Sequence, residues 1–168
     1  MSLKPSWILY SILALGLLIG IFYSQIDRTE QAIRERLNDL IELVEKDGPV
    51  PSLEAMGRGR QMAKLFTENV SVEYYPGRHL PRNLDGLPAA FLSAWGRLER
   101  VSVSVLDPEI TVDDSGQRAE SVAELRCEVS VNASDRMSDR ITYRIYWVQP
   151  ESEWLIERMV ALSEVSGQ

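Results

Sequence analysis

The pattern of apolar and polar positions changes character along the chain. Residues 7–23, WILYSILALGLLIGIFY, form an uncharged run; between Asp27 and Asp47 apolar side chains recur every three or four residues; beyond residue 100 they alternate with polar ones. Extended by Ser6 and Ser24, the first run holds 19 residues, or about 28 Å of helix at roughly 1.5 Å per residue, close to the thickness of a bilayer's hydrocarbon core. Trp7, Tyr10 and Tyr23 stand near its ends, where amphipathic rings favour the headgroup level. The pattern predicts a membrane-spanning helix. A cleaved signal peptide would need a shorter core and small residues before the cut, whereas this core runs into Ile21, Phe22 and Tyr23. The expected organisation is an anchor with a short tail over 1–26 and a folded domain over 27–168.

In that domain Ile33, Leu37, Leu40, Ile41 and Val44 make one stripe of an amphipathic helix, which Asp47-Gly48-Pro49 should stop. A second helix is expected from Ser52 to about Asn69, with Leu53, Met56, Ala63 and Phe66 on its apolar side. Its GRGR segment, 57–60, lacks the full spacing and preceding strand of a phosphate loop and reads as a solvated helix face. Val70–Tyr75 alternates as a strand, Pro76-Gly77 breaks it, and RHLPRNLDGLP follows as loop. Asp85 then opens a short third helix through Phe91, Leu92, Trp95 and Leu98.

The remainder reads as antiparallel sheet. Val101, Val103 and Val105 alternate with serines. Ala119, Ser121, Ala123, Leu125, Cys127, Val129 and Val131 share one face of a long strand, and Ile141, Tyr143, Ile145 and Trp147 share one face of the next. A last strand covers Trp154 to Leu162. Charge predicts the register of the hairpin 118–149. Placing Glu128 against Arg140 and Glu124 against Arg144, with Ala133-Ser134-Asp135 as the loop, avoids setting Arg126 against Arg140.

Composition narrows the function classes. A net charge of -7 and a pI near 4.8 argue against nucleic acid, whose binding needs Lys and Arg on phosphates. With Cys127 and His79 as the only residues of their kinds, neither an internal disulfide nor a Cys/His metal site can form. No cofactor motif is present. Orientation rests on two opposed signals: Arg28, Arg34 and Arg36 follow the span, whereas a short tail carrying Lys4 has the shape of a signal anchor that exports the domain behind it. A periplasmic or otherwise extracytoplasmic domain is the expectation.

The junction LFTENVSVEYY (65–75), the terminal YWVQPESEWLIERM (146–159), and the order of three helices before a long curled sheet resemble the nuclear transport factor 2-like superfamily, which includes SnoaL-like domains and ketosteroid isomerases. The resemblance implies an α+β cone of three helices on a curved antiparallel sheet, related to the cystatin-like folds. It also implies frequent dimers through the sheet, and functions from isomerases to non-catalytic binding and assembly domains, some of them tethered to bacterial membranes. Fold alone does not choose among these.

The residues favour binding over catalysis. An isomerase of this kind needs a carboxylate base inside the cone; on the apolar faces named above, Cys127 and Tyr143 are the only titratable groups. Cys127 among Leu125, Val129 and Ala123 reads as an inert core thiol. Alternation sets Val70, Val72 and Tyr74 opposite Glu73 and Tyr75, and His79 falls beyond the Pro-Gly break. The expectation is therefore no catalytic residue, and a domain that recognises a protein partner or a small apolar ligand. Under the alternative of an enzyme acting on a small hydrophobic substrate, Tyr74, His79 and Tyr143 are the candidates. The outer sheet face, with Val122, Glu124, Glu128, Arg140, Arg144, Tyr146 and Val148, is the surface expected to meet a partner or second copy.

Overall fold

The computed structural model describes residues 27–80, 84–132 and 135–164. The expected span at 7–23 lies outside them, and no helix among the described residues is long and apolar enough to cross a membrane. Helix α1 (27–44) is followed by β1 (Lys46–Asp47), α2 (Ser52–Ala63), β2 (Phe66–Tyr75), β3 (Arg78–His79) and α3 (Gly86–Trp95). Five strands complete the domain: β4 (Arg100–Val105), β5 (Glu109–Val112), β6 (Arg118–Ser130), β7 (Arg136–Val148) and β8 (Leu155–Glu164). The sheet order is β1-β4-β6-β7-β8-β2-β3, with β5 also on β6. The sheet is mixed rather than antiparallel throughout, because β2 runs parallel to β8.

Several element boundaries differ from expectation, for local reasons. α1 stops at 44, and Lys46–Asp47 pair with Val101 and Arg100 instead of continuing the helix. α2 ends at Ala63, and the β-prone Phe66 already pairs with Ile156 of β8. Its buried side is Gly59 and Met62, while Leu53 and Met56 are exposed. Pro76-Gly77 is a tight turn, with Gly77 at φ 76, and Arg78-His79 form a strand back along β2 rather than a loop.

The GRGR segment is not simply a wet face. Arg58 donates to the Glu45 carbonyl at 2.7 Å, the Trp95 indole donates to the Val44 carbonyl at 2.6 Å, and together they satisfy carbonyls at the end of α1. Trp95 is flanked by two cations, the Lys46 ammonium 4.2 Å and the Arg58 guanidinium 5.7 Å from its ring centre. Burial pulls the Lys46 pKa below its ordinary value.

The register of the β6–β7 hairpin corrects the sequence expectation. Arg126 does stand opposite Arg140, Leu125 opposite Ile141 and Ala119 opposite Trp147. The loop closes one residue earlier than expected, because the Asn132 side chain accepts the Asp135 N–H at 2.9 Å and donates to its carboxylate at 2.7 Å. The Glu/Arg attractions are met on the diagonals, Arg144 to Glu120 at 3.0 Å and Arg140 to Glu124 at 4.0 Å. The shift is by an even number of residues in total, so the face assignment stands: Ala119, Ser121, Ala123, Tyr143, Ile145 and Trp147 are buried, and the Glu/Arg rows lie on the other side.

Candidate functional site: the open end of the cone

The paired rows of β6 and β7 act as a depth scale. At the closed end Ala119 faces Trp147 and Ser121 faces Ile145; the Trp147 indole donates to the buried Ser121 hydroxyl at 2.8 Å. Ile33 and Leu37 of α1, together with Ile156 of β8, complete a dense core there. Moving outward, the rows are Ala123 with Tyr143, Leu125 with Ile141, and Cys127 with Asp139. Over this stretch burial falls from complete to partial and the filling stops. A cavity of about 600 Å³ remains, covered by Leu40, Ile41 and Val44 of α1 and by Leu87, Ala90, Phe91 and Ala94 of α3. Val72 and Tyr74 of β2, Leu80, and Met159 of β8 form the remaining side.

The polar groups in this lining are few. Among the described residues they are Tyr74, Cys127, Asp139 and Tyr143. The Tyr143 hydroxyl donates to the Tyr74 carbonyl at 2.7 Å, so its one proton is committed to the main chain. Burial, and then the neighbouring Cys127 and Asp139, push its pKa up to about 12. Burial likewise raises the Cys127 thiol, with Asp139 and Glu128 adding to the effect. A thiol with a raised pKa is a poor nucleophile, but Cys127 is only partly buried and lines the cavity wall, not the core position expected from its neighbours. Asp139 is exposed at the mouth, where its carboxylate accepts the Arg140 backbone N–H at 2.8 Å.

The three residues expected from the sequence to serve catalysis, if any did, are only partly united. Tyr74 and Tyr143 meet in the cavity wall, but His79 is exposed on β3, across from Glu73, and does not line the cavity. Glu73 turns away as alternation requires and accepts the Gly77 N–H at 2.7 Å. The residue that sequence reasoning missed is Asp139. It continues the parity of Ile141 and Tyr143, so the apolar face of β7 does carry a carboxylate. Among the described residues no His/Cys/Asp/Glu group could hold a metal ion, and no described Lys, Arg or His lines the cavity.

No protein-family model and no curated protein matches the chain. Solved structures do. A putative scytalone dehydratase from Novosphingobium aromaticivorans superposes with a TM-score of 0.70 at 13% identity, over 87% of this chain and 99% of that one. A nuclear transport factor 2-like superfamily protein from Salmonella enterica gives 0.66 at 15% identity, covering 85% and 96% of the two chains. A type 2 hexachlorocyclohexane dehydrochlorinase gives 0.65 at 10% identity, covering 86% and 93%. The fold is therefore that of the nuclear transport factor 2-like proteins. At these identities the likeness carries no activity with it.

Proposed function

We propose that this chain is a membrane-anchored, non-catalytic binding domain whose cone takes up a small, largely apolar molecule. The observation that carries this reading is the cavity of about 600 Å³ at the open end, with aliphatic and aromatic walls on every element that borders it. Residues 7–23 supply the anchor, and the domain faces the extracytoplasmic side. The outer sheet face, around Arg144 and Tyr146, is available for a protein partner or second copy. An alkaline phosphatase fused to the carboxyl end tests the orientation: an active fusion supports export, and a stable but inactive one overturns it.

Ligand uptake is tested by calorimetry on the full chain in nanodiscs, with 1-naphthalenemethanol as probe and empty discs as reference. Ala90→Phe, which puts a ring into the lining, should abolish uptake while leaving circular dichroism unchanged. Equal uptake by both proteins would place the ligand elsewhere.

A second reading, an enzyme acting on a small hydrophobic substrate, is favoured by two observations: Asp139 is a carboxylate at the cavity mouth, and two of the structural neighbours are described as a putative scytalone dehydratase and a dehydrochlorinase. Against it stand the committed Tyr143 proton and the position of His79 outside the cavity. Recovery of a chemically altered ligand from the wild-type chain, but not from Asp139→Asn, would decide for catalysis.

A further inference from the structure

Resting on the ligand-binding reading, we propose that the cone selects its ligand by charge, accepting apolar molecules that end in a protonated amine or a hydroxyl and turning away apolar carboxylates. Among the described residues the wall has few polar groups to offer. Asp139 presents a carboxylate, which only accepts hydrogen bonds. Tyr143 has spent its proton on the Tyr74 carbonyl and offers only the remaining acceptor capacity of its oxygen. Cys127 contributes a weak donor at most. The Tyr74 hydroxyl belongs to a residue that is 44% exposed and stays within reach of solvent. A ligand anion entering this space would find apolar walls, no cation among the described lining residues, and a fixed negative charge at the entrance.

Two weakly acidic groups already lie in this wall, Cys127 and Tyr143. Burial first raises the pKa of both, and Asp139 adds to the effect on each, so both shifts run against placing a negative charge beside these rows. A ligand carboxylate lying along the same rows would meet the same desolvation and the same repulsion. An ammonium at the mouth meets the opposite field and stays partly hydrated, because Asp139 is exposed. Geometry suits such a molecule. Asp139 and Tyr143 lie four residues apart on one face of β7, roughly 14 Å at about 3.4 Å per residue, with the Leu125/Ile141 row between them. A bicyclic body can rest on that row with its head at Asp139.

The test uses three probes with one ring system: 1-naphthylmethylamine, 1-naphthalenemethanol and 1-naphthoate. Each is titrated calorimetrically into the full chain in zwitterionic nanodiscs at neutral pH, with empty discs subtracted. The amine and the alcohol should bind, and the carboxylate should bind at least about tenfold more weakly than the alcohol, the scale expected for a partly screened unit charge. In Asp139→Asn the amine should bind more weakly than it does to wild type, and the carboxylate should recover to within about threefold of the alcohol. Naphthoate binding as tightly as the alcohol, or an unchanged ratio in Asp139→Asn, overturns the charge rule while leaving the cone as a binding site. Failure of all three probes to bind removes the binding reading itself, and the charge rule with it.

Discussion

The Tyr143 hydroxyl on β7 donates to the Tyr74 carbonyl on β2 at 2.7 Å, although β8 runs between the two strands. The ring passes over β8 where its cross-strand neighbour is the small, buried Ala161. One hydrogen bond therefore ties the outer end of β2 to the middle of the sheet, and it does so in the wall of the cavity. Tyr143→Phe keeps the ring and leaves the Tyr74 carbonyl without its donor. The expected cost is about 1 kcal/mol in urea unfolding of the full chain; a change within error would show that water replaces the phenol at no cost.

The same residue sets an alkaline limit. Its folded pKa is raised to about 12 from an ordinary value of 10.0, so the native state holds the proton more tightly than the unfolded chain. This contribution is fully present below pH 10.0 and is lost as pH rises through about 12. The raised Cys127 thiol adds a loss of the same sign, beginning above its ordinary value of 9.0. Unfolding free energy measured from about pH 9 to about pH 12 should fall more steeply in wild type than in Tyr143→Phe. Parallel curves would mean that the phenol titrates normally.

Arg126 and Arg140 face each other across the hairpin. Replacing Arg126 with Glu converts a repulsive pair into an attractive one and should stabilise the domain by about 0.2–1 kcal/mol at low salt. The gain should shrink at high salt, since Arg140 is half exposed. Destabilisation at every ionic strength would indicate that the Arg126 stem packs more than its charge repels.

Gly57 lies within α2, and a Cβ added there meets nothing within 4 Å. Gly57→Ala should therefore raise stability by about 0.5–1 kcal/mol through helix propensity alone. Thermal unfolding checks this, and a lower Tm would point to a contact at this position that the helix geometry does not reveal.

Much of the fold could be read from side-chain alternation, because β6 and β7 each bury one face and present the other to solvent. Register was less legible. Charge discriminates register only between directly opposed residues, whereas Arg140 and Arg144 reach Glu124 and Glu120 diagonally, and Asn132 closes the turn from the preceding position. The candidate site was half legible for a related reason. Tracing the apolar face of β7 from Ile141 inward finds Tyr143, but the same parity continued outward reaches Asp139, which is polar because the cone is open there. In α2, the exposed Leu53 and Met56 supply the apolar spacing, while contact with α3 falls at Gly59, where a missing side chain admits Pro88 and Leu92. A pattern built from hydrophobic residues cannot register a glycine as a packing surface.

The parallel pairing of β2 with β8 also orders the birth of the molecule. Phe66 and Ile156 are neighbours in the sheet but far apart in the chain, and synthesis delivers β2 long before the strand that will lie between it and β7. Until β8 emerges, β2 has only the two residues of β3 beside it, and one of its edges stays open to wrong partners. Loop closure over such a distance slows folding, and the unpaired edge is a liability during that delay. The nascent domain should therefore acquire protease resistance only after β8 has cleared the ribosome, in a single late step rather than strand by strand.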